Sequence, residues 1–332
     1  MIKPHIRDDI DGIDSGNALD VVNLTKTYGK FTAVDRLNLS VSKGEFRGIL
    51  GPNGAGKSTT LKAITGLLAP TSGEVYVNGV NALSHREAMR HVGCVIETPQ
   101  CYPNFTPAEM LTYVGRIHGL PNDEIAIRAK DVLEELRMWQ WRGKNIGGFS
   151  KGMKQRVALA AALMPNPEII ILDEPTSGLD PRGMIEIREI LNELKRSGLT
   201  LMISTHILKE ISEMCTHVTM INQGREIVSG NVSDLVNTVG REGKSVTLDL
   251  KTLNPITSEF KSELEAFSGV SALETTSETS VKFKFAGDVE TQADIVDMIC
   301  SHNLRMLYLN ETGADIESLY MALTSGQEVN IK

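Results

Sequence analysis

From Leu19 onward, apolar and polar positions alternate along the chain. Leu19 and Val21, then Leu37, Leu39 and Val41, stand against polar neighbours in the period of half-buried strands. Val75-Tyr76-Val77 continues this pattern and runs into Asn78-Gly79, a hairpin-type turn. Between them, Phe46-Arg47-Gly48-Ile49-Leu50 is a short run ending in apolar residues, and Thr59 to Leu68 carries apolar residues at helical spacing until Pro70 closes it. An antiparallel layer is thus expected around a strand that feeds directly into a helix. From about 98 to 163 the period becomes helical. Thr106-Pro107-Ala108-Glu109 has the form of a capping box with proline at the first helical position, followed by Met110, Leu111, Val114 and Ile117 on one face and stopped by Gly119 and Pro121. A second amphipathic helix carries Ile127, Val132, Leu133 and Leu136.

Beyond this α-helical subdomain, Glu168-Ile169-Ile170-Ile171-Leu172 reads as a strand buried on both faces, ending in Asp173-Glu174-Pro175. From about residue 240 the pattern changes again: a strand at Val246, Leu248 and Leu250, a helix at Phe260 and Leu264, and strands at Val270 and Ala272 and at Val281, Phe283 and Phe285. A helix at Ile295, Met298 and Ile299, a strand at Leu304, Met306 and Tyr308 and a last helix at Ile316, Leu319 and Leu323 follow. The order βαββαβ suggests a small ferredoxin-like α+β domain over 240–332. The preceding α/β domain is assigned to 19–239. Asp8, Asp9, Asp11 and Asp14, mixed with Gly12, Ser15 and Gly16, make 1–18 an acidic extension expected to be disordered.

The strand-to-helix corner has specific chemistry. Gly51-Pro52-Asn53-Gly54-Ala55-Gly56-Lys57-Ser58 fits G-x-x-x-x-G-K-[ST]. Glycines let the backbone turn its N–H groups inward as an anion nest, and the following helix aims its positive end at the same place. Lys57 is then placed for the β/γ-phosphates of a nucleoside triphosphate and Ser58 for Mg2+, with Thr59 beside them. Asp173, at the end of a buried strand, can hold the nucleotide's metal, and Glu174 can orient or deprotonate an attacking water.

Phe149-Ser150-Lys151-Gly152-Met153-Lys154-Gln155-Arg156, just before the Asp-Glu strand, resembles the signature motif of ATP-binding cassette (ABC) ATPases. Tyr28 in Lys26-Thr27-Tyr28-Gly29, Ser177-Gly178-Leu179-Asp180 and Ser204-Thr205-His206 are similar to that family in order and spacing, so the resemblance covers roughly 19–235. It implies a phosphate-loop NTPase fold of mixed sheet, antiparallel β subdomain and α-helical subdomain. It also implies a set of roles: Tyr28 stacking on adenine, Gly54, Gly56 and Lys57 holding phosphates, Ser58 and Asp173 serving Mg2+, Glu174 as general base and His206 contacting the γ-phosphate. In such proteins Ser150 and Gly152 of one protomer close over ATP held by the other, with Asp180 near the seam of a head-to-tail dimer of the chain with itself or a paralogue.

One position departs from the family pattern. Aligning Val92-Gly93-Cys94-Val95-Ile96 puts Glu97 where many members carry glutamine, with Gln100 three residues later. A carboxylate there can still ligate Mg2+ or orient water, but it adds negative charge beside the phosphates; alternatively Gln100 takes the role. Some exporters of antimicrobial peptides and related immunity transporters resemble this chain in carrying Glu in that loop. Ile316-Glu317-Ser318-Leu319-Tyr320-Met321-Ala322-Leu323-Thr324 is likewise similar to the end of ATPase subunits in two-component drug or peptide exporters.

Composition narrows the partners. With 332 residues, 41% hydrophobic and 23% charged, the chain has enough apolar content for two cores. Its net charge of −8 and lack of a Lys/Arg block argue against nucleic acid as a partner. Cys94, Cys101, Cys215 and Cys300 are scattered, with no C-x-x-C pair, as suits a reducing cytosol. No uninterrupted apolar run approaches the roughly 18 to 20 residues that span a bilayer. The expectation is a cytoplasmic ATPase subunit, peripheral to the membrane through a separate permease, with ATP and Mg2+ as cofactors and export of drugs, peptides or similar amphipathic cargo as its task. The competing expectation is a cytosolic ABC ATPase acting as a regulatory or remodelling switch without a permease.

Overall fold

The computed structural model describes residues 12–97, 101–241, 246–312 and 320. The chain divides into two compact units, 1–231 and 232–332. The expected boundary near 240 falls later than this division, because the helix Val232–Arg241 groups with the second unit.

The first unit begins with β1 (Leu19–Tyr28) and β2 (Phe31–Val41), then β3 (Phe46–Leu50) and α1 (Lys57–Ile64), followed by β4 (Ser72–Val77), β5 (Val80–Asn81) and β6 (Val92–Val95). Next come α2 (Pro107–Ile117), α3 (Asn122–Glu135) and α4 (Lys151–Leu163), which form the helical insert. The unit closes with β7 (Ile169–Asp173), α5 (Pro181–Arg196), β8 (Thr200–Thr205), α6 (Leu208–Met214), β9 (His217–Asn222) and β10 (Arg225–Asn231). Two sheets result. One is antiparallel, in the order β2-β1-β4-β5; the other is mixed, in the order β10-β9-β3-β8-β7-β6, parallel except for β10.

Leu61, Ala63 and Ile64 of α1 share one apolar core with Leu19, Leu37 and Val75 of the antiparallel sheet and with Ile49, Ile171 and Met202 of the mixed sheet. The helix that follows the phosphate loop is therefore clamped between two layers. It stops at Ile64, earlier than the apolar spacing through Leu68 suggests. Gly66 turns left-handed at φ 70°, and the Gly66 and Leu68 N–H groups donate to Ala63 O and Lys62 O, which closes the helix end. Leu67 is left exposed.

In the insert, Thr106 caps α2 by accepting from the Glu109 N–H (3.2 Å), while Glu109 reaches back to the Thr106 N–H (2.8 Å), the reciprocal pair expected from the sequence. The buried stripe of α3 is Ile125, Ala129, Val132 and Leu133, so Ile127 lies on its outer side. Residues 12–18, expected to be disordered, are tied down: Ile13 N–H donates to Gly79 O (2.8 Å), Ala18 N–H to Val41 O (2.9 Å), and Asn17 and Ser15 bond the buried Asp20. Short polar residues here satisfy a buried carboxylate, which a reading of low hydrophobicity alone misses. Residues 1–11 lie outside the described residues.

The second unit contains α7 (Val232–Arg241), β11 (Val246–Thr252), α8 (Ser258–Ala266), β12 (Val270–Ser277), β13 (Ser280–Phe285), α9 (Val289–Ser301) and β14 (Met306–Thr312). Its strands form one antiparallel sheet in the order β12-β13-β11-β14. This is the split-βαβ layout of ferredoxin-like domains. Phe260 and Leu264 of α8 and Ile295 and Ile299 of α9 pack with Leu248, Leu250, Phe283 and Phe285. Ala272, expected to point inward, has φ 53° inside a register shift and is exposed; Leu273 packs in its place. The last helix expected around Ile316, Leu319 and Leu323 falls outside the described residues.

Candidate functional site

β3 is buried along its whole length and delivers the chain into the loop Gly51 to Gly56 at its carboxyl end. Gly56 has φ 105°, and no side chain caps α1, so the first-turn N–H groups have no side-chain acceptor. A Cβ at Gly56 would lie 2.5 Å from Ala33 O, and one at Gly51 would lie 2.4 Å from Ile221 O. The loop thus runs too close to its neighbours for any side chain at these two places. Ala55 accepts from Gly224 N–H (2.9 Å), which fixes the loop to the turn between β9 and β10. The buried Lys57 ammonium donates to Gly51 O (2.8 Å) and Pro52 O (3.2 Å), folding back over the loop. Pro52, Asn53 and Gly54 are exposed at its rim, and Ser58 and Thr59 are half-buried on the first turn.

Asp173 ends β7 and is buried. Ser204, at the same level of β8, donates its hydroxyl proton to Asp173 Oδ1 and accepts from the Glu174 N–H (3.0 Å), while Ser204 O accepts from that same N–H at 3.2 Å. Glu174 sits at φ 45°, a left-handed backbone that costs a non-glycine residue free energy and that the two Ser204 bonds help to hold. Its Oε1 lies 3.6 Å from Lys57 Nζ and 3.1 Å from His206 Nδ1. Lysine, glutamate and histidine therefore meet on one carboxylate oxygen.

Ser58, Glu97, Asp173 and Glu174 line one cleft of about 460 Å³, with Lys151, Gln155 and Ser177 completing its walls. Glu97 also has a left-handed backbone, φ 64°, and is ion-paired with Lys62 of α1. The adjoining Glu97 carboxylate pushes the Lys62 ammonium pKa up; burial opposes this, and Asp173 and Tyr28 add to it more weakly. Gln100, the alternative to Glu97, lies outside the described residues. Tyr28, at the end of β1, is exposed, with the Lys26 ammonium 5.1 Å from its ring centre.

Ser150, Gly152 and Asp180 stand apart from this cluster. Ser150 Oγ caps α4 by accepting from Met153 N–H (3.3 Å), and Asp180 Oδ1 caps α5 by accepting from Gly183 N–H (3.2 Å). Gly152 lies beside Leu179 and Gly183 at the junction of α4 with α5. Among the described residues, neither Ser150 nor Asp180 makes a side-chain polar contact with the phosphate loop. Lys151 joins the two motifs by donating to Ser177 O (2.7 Å).

Sequence reasoning passed over three groups. Ser204 was visible only as part of Ser204-Thr205-His206; a small polar residue within an apolar strand is the signal it offered. The buried Glu210 accepts from Thr176 and Thr205 (2.6 Å for the latter) and thereby anchors the turn after Glu174 and the end of β8. Lys62, one helical turn beyond Ser58, reads in sequence as an ordinary exposed helix position.

Among the described residues, no group of three or more His, Cys, Asp or Glu side chains could hold a metal by itself, and no helix is long and apolar enough to cross a membrane. A phosphate loop after β3, a histidine after the adjoining β8 and an Asp-Glu pair at the end of β7 beyond it define a phosphate-loop nucleoside triphosphatase.

Comparison with known proteins is specific. The family model described as ABC transporter matches residues 34–177, and one described as an AAA domain, putative AbiEii toxin, type IV TA system, matches 143–212. The linearmycin resistance ATP-binding protein of Bacillus subtilis is 33% identical over 309 residues, covering 92% of this chain and 98% of that protein. The bacitracin transport ATP-binding protein of Bacillus licheniformis is 42% identical over 209 residues, covering 62% and 67%. Among solved structures, an ATP-binding subunit of an ABC transporter superposes with TM-score 0.61 at 33% identity, covering 68% of this chain and 95% of that one. A dimeric ATP-binding cassette in a post-hydrolysis state with ADP and Pi gives TM-score 0.57 at 29% identity, covering 64% and 98%. The chain belongs to the ABC transporter family, as one of its ATP-binding, ATP-hydrolysing subunits.

Proposed function

We propose that this chain binds MgATP in the cleft beside the phosphate loop and hydrolyses it to drive export of drugs, peptides or similar amphipathic cargo through a separate membrane permease. The observation that carries the chemistry is the convergence on Glu174, whose Oε1 is within 3.6 Å of Lys57 Nζ and 3.1 Å of His206 Nδ1. Lys57 exchanges its loop carbonyls for β/γ-phosphate oxygens. Glu174 takes the proton of the attacking water, and His206 orients that carboxylate and contacts the γ-phosphate. Tyr28 stacks on adenine.

The Ser58 hydroxyl, the Asp173 carboxylate and Glu97 are oxygen donors on one cleft, and the donor set fits Mg2+, which is commonly held by one or two carboxylates together with phosphate oxygens. The bound ion supplies neutralisation of phosphate charge. The 13-residue helix α4 begins at Ser150, and two chains arranged head to tail give its N-terminus a γ-phosphate to face. A drug or peptide cargo is supported by the linearmycin resistance and bacitracin transport in two relatives' names, and export as the direction by the Nod factor export ATP-binding protein of Ralstonia nicotianae, 38% identical over 227 residues. The segment Tyr102 to Thr106, where the tilted Tyr102 and Phe105 rings both meet Tyr113 edge-on, is the surface proposed to pass motion to the permease, with the chain on the cytoplasmic face of the membrane.

The test of the chemistry is steady-state ATP turnover of Glu174→Gln. Turnover is expected to fall by about 100-fold or more while nucleotide binding persists. Wild-type turnover in this variant would remove Glu174 as the base.

A further inference from the structure

Glu97 brings a third carboxylate to a cleft that already holds Asp173 and Glu174. A triphosphate carries several negative charges into the same space, and each added carboxylate raises the electrostatic cost of its entry. Such a residue needs a compensating cation. Lys151, on the cleft wall, donates to Ser177 O, and Lys57 is paired with Glu174 and, on the reading above, turns to the phosphates, so neither is given to Glu97.

Lys62 is differently placed. It stands four residues after Ser58 on α1, so the two share one face of a helix that the surrounding core holds rigidly. Its ammonium is ion-paired with Glu97 Oε1. The side chains are 32% and 61% exposed, and pairs of that exposure contribute little to folding. Glu97, with φ 64°, lines the cleft while its carboxylate meets Lys62 of α1.

We propose that Lys62 is the positioning residue for Glu97: it tethers the carboxylate to α1 and offsets its charge, so that a glutamate at this place is compatible with binding of MgATP. This rests on the reading of the cleft as a MgATP site. Lys62 touches no reacting atom; its effect passes through Glu97.

The experiment is equilibrium binding of MgATP to the full-length chain, compared among wild type, Lys62→Met, Lys62→Arg, Glu97→Gln, the Lys62→Met/Glu97→Gln double variant and Lys57→Ala. Lys62→Met is expected to weaken binding about five- to tenfold, more at low than at high salt, while Lys62→Arg stays within about twofold of wild type. In the double variant, binding returns to within about twofold of Glu97→Gln alone, because the charge that needed compensation is gone. Thermal midpoints of the Lys62 and Glu97 single variants stay close to wild type, as an exposed pair requires. Lys62→Met binding as well as wild type, or a loss that Glu97→Gln does not rescue, overturns the proposal. A wild-type chain that binds no better than Lys57→Ala overturns the MgATP reading itself, an outcome distinct from failure of the rescue.

Discussion

At the residue scale, the site works through a few side chains that hold others. Ser204 is fully buried, and its hydroxyl joins Asp173 to the backbone of Glu174. Ser204→Ala is expected to lower ATP turnover about tenfold and to raise the Mg2+ concentration needed for half-maximal rate, since outer partners of metal-binding carboxylates commonly matter to that extent. Titrating Mg2+ against turnover checks both effects; unchanged values would make Ser204 a packing residue only. Phosphate-loop residues were legible because their chemistry is contiguous in sequence. Ser204 was not, because its partner Asp173 lies 31 residues away and only the pairing of β7 with β8 brings them level. Lys62 escaped for the same reason, since its partner Glu97 is 35 residues off.

At the scale of elements, helix ends decide what each segment can do. The capping box of α2 was readable because Thr106, Pro107 and Glu109 act within one turn. Thr106→Ala is expected to cost about 1 kcal/mol in denaturant unfolding, provided the transition containing α2 is followed. The Thr106 N–H and hydroxyl hold the Glu109 carboxyl below the usual carboxylate range. A group lowered in the folded state stabilises fully above its unfolded pKa and loses that contribution as the pH falls through its folded value. The destabilisation caused by Glu109→Ala should therefore be largest at neutral pH and shrink in acid. A destabilisation independent of pH would contradict the ionic part of the cap. The end of α1 was less readable, because Leu67 and Leu68 prolong the apolar spacing past the point where Gly66 turns the chain. At β12 a local bulge reverses the alternation from which the inward face was read, and nothing in Val270 to Ala272 announces it.

At the scale of the whole molecule, the first unit places α1 between an antiparallel and a mixed sheet, and the second repeats a βαββαβ order around its own core. The mixed sheet of the first unit was expected from the family resemblance, while its antiparallel layer and the βαββαβ order of the second unit followed from periodicity. The docking of 12–18 did not, because it depends on polar bonds to Asp20 and on the edge at Gly79. In the proposed function a nucleotide motor in this chain drives a separate membrane protein. Affinity purification of the full chain from its native membranes in mild detergent, followed by ATP turnover of the eluate, tests this. A polytopic membrane protein in near-equimolar ratio, with turnover that falls about 100-fold or more when the chain carries Glu174→Gln, is the predicted result. A chain recovered without such a protein, bound instead to ribosomes, nucleic acid or assembly factors, would contradict it.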